Sequence, residues 1–183
     1  MGGSSMDTYK MNIAGVDREL IKYPVSDKLD IAAFIMFGDV EVTEKAAAEL
    51  LKICPEHDVV FSAEAKGIPL CYEMARQGCR EYVIARKSVK VYMRNCVEVT
   101  VHSITTSQVQ KLYLGDTDAA SLKGKRVLIV DDVVSTGESL EAMETLLNKV
   151  GANIVGKACV LAEGDAKNRD DIIFLEELPL FEK

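Results

Sequence analysis

The chain has 183 residues, is 48% hydrophobic and 28% charged, and carries a formal net charge of −7. That length suits one domain that buries about two-thirds of its unfolded surface without metal or disulfide staples, and the acidic balance disfavours nonspecific nucleic-acid binding, which needs clustered Lys and Arg. No apolar run reaches the roughly 18 residues of a membrane span and the start shows no charged-then-apolar leader, so a cytoplasmic protein is expected, with neither membrane nor DNA among its partners.

Residues Met1–Ser5 read as a tag remnant or frayed end and stay outside the fold argument; one domain is expected over residues 6–183. Partial alternation at Tyr9, Met11 and Ile13, then Leu20–Tyr23 ahead of Pro24, predicts short extended segments, a small hood spanning mainly residues 9–40. The core, residues 41–183, opens with a helix over Glu41–Cys54 that places Ala46, Ala47, Leu50 and Leu51 on one face and stops at Pro55. An apolar run at Asp58–Ser62, a helix at Ile68–Gln77 closed by Gly78 and a second run at Tyr82–Ala85 follow. Apolar β-branched runs alternating with amphipathic helices predict an α/β fold, a Rossmann-like central parallel sheet flanked by helices.

From Arg86 to Leu114 that rhythm breaks. Alternating segments at Val97–Ile104 and Val109–Leu114, around the polar Thr105–Gln108, predict a long hairpin with a flexible tip that serves as a lid. A turn of helix at Asp118–Leu122, a strand at Val127–Val130, a helix at Glu138–Val150 ended by Gly151, a strand at Ile154–Leu161 and a last apolar run at Ile172–Leu175 complete the chain.

The stretch Val127–Ser139, VLIVDDVVSTGES, concentrates the chemistry. In a parallel sheet, ligands bind beyond the carboxyl ends of the strands, where helix N-termini offer free N–H groups to anions. Asp131 and Asp132 sit at such an end, followed by Ser135, Thr136 and Gly137, so carboxylates for sugar hydroxyls adjoin a cup for a phosphate. Alone, a strand-end acid and a helix N-cap would explain each part. Found together, they point to a sugar phosphate.

The remaining candidates are plainer. Five cysteines without a CxxC pair suggest neither zinc nor a disulfide framework, and His57 and His102 have no partner in the sequence. Glu163, Asp165, Asp170 and Asp171 lack metal-site spacing and read as a solvated loop.

Val127–Ser139 resembles the phosphoribosyl pyrophosphate (PRPP) signature of type I phosphoribosyltransferases. Ser62–Gly67 resembles the pyrophosphate loop of the adenine phosphoribosyltransferase branch, with Lys66 where an arginine is typical, and Arg86, Lys87 and Lys90 resemble the basic start of that branch's flexible loop. The resemblance implies transfer of a 5-phosphoribosyl group from PRPP to a purine in salvage, adenine first and xanthine, hypoxanthine or guanine next. A nucleoside monophosphate and pyrophosphate are the products.

Asp131 and Asp132 would then be the catalytic pair. PRPP would be held by Glu64, Ala65, Lys66 and Gly67, by Arg86, Lys87 and Lys90, and by Asp131, Asp132, Val133, Val134, Ser135, Thr136, Gly137, Glu138 and Ser139. Mg²⁺ would arrive with PRPP, reaching Asp131 and Asp132 only through water. Tyr23, Phe37 and Val133 are the base-binding candidates, and Thr105 or Thr106 stands where the branch has a loop glutamate. A homodimer is implied. The rival reading is a non-catalytic regulator that senses PRPP.

Overall fold

The computed structural model describes residues 7–102 and 109–183. Three strands open the chain, β1 (Thr8–Ile13), β2 (Val16–Ser26) and β3 (Leu29–Ala32), followed by helix α1 (Val40–Ile53). Asp39 caps α1 by accepting a 3.2 Å hydrogen bond from the Val42 N–H, and its carboxylate also takes the Arg18 guanidinium at 2.8 Å. One residue thus starts the helix and fastens the hood to it.

Strand β4 (Val59–Ala63), helix α2 (Ile68–Gln77) and strand β5 (Tyr82–Ala85) form the first βαβ unit. Pro69 lies in the first turn of α2, where a missing N–H costs nothing. The hairpin β6 (Val97–His102) and β7 (Val109–Leu114) and the short helix α3 (Asp116–Leu122) then lead to strand β8 (Arg126–Val134), helix α4 (Glu138–Lys149) and strand β9 (Asn153–Glu163). A 3₁₀ turn at Gly164–Asn168, strand β10 (Ile173–Leu178) and strand β11 (Leu180–Glu182) end the chain.

The central sheet has the order β10-β9-β8-β4-β5 with every pair parallel. Its two faces are separately buried. Leu128 and Val130 of β8 join the apolar layer beneath α1 and α2, whereas Val127 and Ile129 join the layer beneath α4. Alternation within a run buried on both sides is what a central parallel strand requires. The α/β expectation therefore holds, and the limits of α2 and β5 match those read from the sequence.

Several boundaries differ. The strand expected at Val127–Val130 continues through both aspartates to Val134, because β9 accompanies it out to Glu163 and supplies the ladder bonds. Strand β11 from the far end of the chain pairs antiparallel with β3, giving a sheet of order β1-β2-β3-β11. Phe181 of β11 meets Tyr9 edge-on at 5.1 Å between ring centroids and lies 4.4 Å below the Lys22 ammonium. The predicted hairpin pairs from Val97 with Leu114 to His102 with Val109, and its inner residues Val99, Leu112 and Leu114 are buried in the α4 layer. Its predicted tip, with Thr105 and Thr106, lies outside the described residues.

Phe61 is fully buried in β4, the strand that adjoins β8. Phe61→Ala should remove about 3–5 kcal/mol of unfolding free energy, read as a lower urea midpoint at unchanged slope.

Candidate active site

The chain leaves β4 toward β5 on one side, and leaves β8 toward β9 and β10 on the other. Between β4 and β8, therefore, the order reverses, and the loops beyond their carboxyl ends diverge to leave a crevice. Residues Glu64–Gly67 follow β4 and residues Ser135–Gly137 follow β8, so both sequence-predicted loops open at this point.

Gly67 makes the approach possible. A Cβ there would collide with the buried Ser62 hydroxyl and lie 2.9 Å from Asp131 Oδ1. The result is a cavity of about 160 Å³ lined by the loop after β4, the end of β8 and the start of α4, among them Glu64, Lys66, Asp131, Asp132 and Ser139. A neighbouring hollow of about 120 Å³ is walled by Asp131 and the run from Val133 to Leu140. Gly137 begins α4 at φ +84°, and no side chain caps the helix. The N-cap explanation for Ser135 or Thr136 falls away, and the amino end of α4, where the helix dipole favours an anion, borders the hollow.

The charges are arranged unevenly. Asp132 is buried, its Oδ2 has no hydrogen-bond partner among the described residues, and the nearest cation is Lys66 Nζ at 3.9 Å. Asp131 Oδ1 accepts the Asp132 N–H at 2.9 Å. Burial first, and the adjoining Asp132 charge second, push the Asp131 carboxyl well above its ordinary value. The two crowded acids are left short of counter-charge. Among the described residues there is no group of three or more His, Cys, Asp or Glu that could cage a metal directly.

Glu64 binds the Arg86 guanidinium and accepts the Lys87 N–H at 2.8 Å. Burial opposes its charge, but these donors outweigh it and hold the Glu64 carboxyl below its usual range. Arg86 also meets the Tyr92 hydroxyl. It is thereby tied into the scaffold, while Lys87 lines the cavity. Lys90 turns to Ser88, 2.7 Å away.

Gln110 and Leu112 of the hairpin also line the cavity, and Ser139 Oγ lies 3.5 Å from Gln110 Oε1. Sequence reading missed both; strand alternation along β7 was the available signal, but not which face would turn inward. Tyr23 and Phe37 are half exposed and line two other depressions, which share no residue with this cavity; Val133 lines it. All five cysteines are free, and burial raises the thiols of Cys54 to about 11 and Cys159 to about 12, far from a thiolate nucleophile.

A family model for the phosphoribosyl transferase domain matches residues 38–178. The chain belongs to the phosphoribosyl transferase family. It is 34% identical over 147 residues to a hypoxanthine/guanine phosphoribosyltransferase of Methanococcus voltae, covering 80% of this chain and 72% of that one. Its identity to the Methanotorris igneus protein of the same description is 33% over 153 residues, covering 82% and 76%. Among solved structures, the adenine phosphoribosyltransferase of Thermoanaerobacter pseudethanolicus superposes with a TM-score of 0.71 at 18% identity, covering 86% of this chain and 95% of that one. The fold is accordingly the type I phosphoribosyltransferase fold, as the PRPP-like signature implied.

The Asp131 environment yields a stability prediction. Its carboxyl takes up a proton at higher pH in the folded chain than in the unfolded one, near 3.9, so stability is lost as pH rises from there through the folded value. Asp131→Asn should therefore melt above the parent protein at pH 8, with the difference shrinking toward pH 3.5 in thermal unfolding scans.

Proposed function

We propose that this family member transfers the 5-phosphoribosyl group of Mg²⁺-bound PRPP to the ring nitrogen of a 6-oxopurine, hypoxanthine or guanine, releasing pyrophosphate. The observation that carries the reading is the meeting of two loops at one reversal of strand order. The first loop bears Lys66, and the end of β8 with the loop beyond it brings two carboxylates and a phosphate-sized hollow.

In this reading the hollow at Ser135–Ser139 takes the 5-phosphate on backbone N–H groups and hydroxyls. Asp131 and Asp132 accept hydrogen bonds from the ribose hydroxyls. The pyrophosphate lies toward Lys66 and Lys87, with Mg²⁺ offsetting its charge when bound. As the C1–oxygen bond to pyrophosphate breaks, positive charge grows on the ribose ring, and two adjacent carboxylates favour it without any covalent intermediate. The incoming nitrogen forms the new C1 bond and its proton passes to solvent. Gln110 and Leu112, on the inner face of the hairpin, help to keep water from the activated sugar.

The choice of base follows the closer kinship. Relatives at 34% and 33% identity are described as hypoxanthine/guanine enzymes, whereas the adenine enzymes are similar in fold at 16% to 21% identity. This reverses the order implied by the resemblance of Glu64–Gly67 to the adenine branch, and adenine becomes the competing base.

Incubation with PRPP, Mg²⁺ and each of adenine, hypoxanthine, guanine and xanthine, with pyrophosphate release as the readout, should give turnover with hypoxanthine or guanine at least about tenfold above adenine, about 1.4 kcal/mol of discrimination. Faster turnover with adenine overturns the base assignment. PRPP binding with no turnover on any base replaces the enzyme reading with that of a sensor. Asp131→Asn combined with Asp132→Asn should leave the circular dichroism spectrum unchanged and weaken PRPP binding about 100-fold or more in calorimetry. Unchanged affinity would put the ribose elsewhere.

A further inference from the structure

Arg169, in the loop after the 3₁₀ turn, was not among the residues that the sequence singled out. Its Nε and Nη2 form a fork on Asp171, at 2.8 Å to Oδ1 and 2.7 Å to Oδ2. Asp171 Oδ2 also takes the Lys157 ammonium at 2.7 Å, and Lys157 reaches Glu144 Oε1 at 2.8 Å. Glu144 belongs to α4, two turns beyond Gly137, so the ion-pair chain closes on the helix that opens the phosphate hollow. The Arg169 and Lys157 side chains are 31% and 15% exposed, and Asp171 between them is 43% exposed. Arg169 first and Lys157 second hold the Asp171 carboxyl far below its ordinary range.

The third nitrogen, Nη1, has no hydrogen-bond partner among the described residues and packs against Gly137, where any Cβ would strike it. Arg169 does not line the hollow itself. The fork on Asp171 thus holds Nη1 against Gly137 by packing, while the Gly137 carbonyl accepts the Glu141 N–H of α4 at 2.9 Å.

We infer that Arg169 is a positioning residue for PRPP, braced by Asp171 so that its guanidinium packs on Gly137 and fixes the backbone of the loop that takes the 5-phosphate. The inference rests on the reading of Ser135–Ser139 as the 5-phosphate site. Asp171 orients the guanidinium, Lys157 and Glu144 anchor Asp171 to α4, and Gly137 supplies both the positive φ and the room.

The test compares the parent with Arg169→Gln, Arg169→Lys and Asp171→Asn in steady-state kinetics and in calorimetry with ribose 5-phosphate. Arg169→Gln should raise KM for PRPP about tenfold and weaken ribose 5-phosphate binding in proportion, because the loop loses the side chain packed behind Gly137. The kcat at saturating PRPP and the KM for the base should stay within about twofold, since the ribose and base contacts are untouched. Arg169→Lys, which keeps the charge but not the fork, should recover only part of the loss, and Asp171→Asn should raise KM for PRPP although it touches no ligand. An unchanged KM for PRPP in Arg169→Gln, or a fall in kcat with KM constant, overturns the inference in favour of a purely structural ion pair. If Arg169→Gln does not fold, the other two variants decide by the same KM criterion. Should the parent itself fail to bind ribose 5-phosphate, the phosphate-site reading fails first.

Discussion

The parallel pairing of β4 with β8, Phe61 opposite Ile129, is the constraint on which the rest of the site depends. Each strand delivers one loop to the same end of the sheet, and because the chain departs from the two strands in opposite directions, no connection fills the gap between them. The close approach then needs an absent side chain. Gly67 packs onto Ser62 and Asp131 at distances that no other residue permits, and only there do Lys66 and Asp132 come within 3.9 Å. Apolar packing on both faces of the sheet holds that geometry, since Leu128 and Val130 are fixed beneath α2 while Val127 and Ile129 are fixed beneath α4.

Within this frame the site is poor in compensation. Asp132 Oδ2 and Ser62 Oγ are buried without hydrogen-bond partners among the described residues, and Asp131 is pushed toward its neutral form. Such groups cost stability unless something bound to the folded chain satisfies them. A ligand that brings hydroxyl donors and its own divalent cation does so, which is why the same carboxylates that weaken the empty chain suit a sugar with a charged leaving group. The basic residues are divided in the same economical way. Arg86 is tied to Glu64 and Tyr92 and shapes the loop, Lys66 and Lys87 face the cavity, and Arg169 stands behind the phosphate hollow.

Much of the architecture was legible because local signals and burial agreed. Helix α2 has Pro69 in its first turn and Gly78 beyond its end, and the apolar run of β5 is bounded by charges, so both limits could be read directly. The end of β8 could not. Two aspartates look like the close of a strand when only hydropathy is considered, yet the β9 ladder carries the extended backbone to Val134. Leu180–Glu182 was illegible as a hood strand because its partner, β3, lies about 150 residues away in the chain, and a three-residue strand has almost no periodicity of its own.

By itself, the sequence determined the alternation that makes a parallel sheet, and the order strand, double aspartate, small-residue turn, helix, because these depend on neighbours a few residues apart. The tertiary structure decided which strands adjoin, and therefore that Glu64–Lys66 line one cavity with Asp131, Asp132 and Ser139. It also decided that Gln110 enters that cavity, that Arg86 is spent on Glu64, and that Arg169 backs Gly137. The physical reason is common to all four: each is a contact across a long sequence separation, set by the packing of whole elements, and no local propensity encodes which distant side chain will fill a given space.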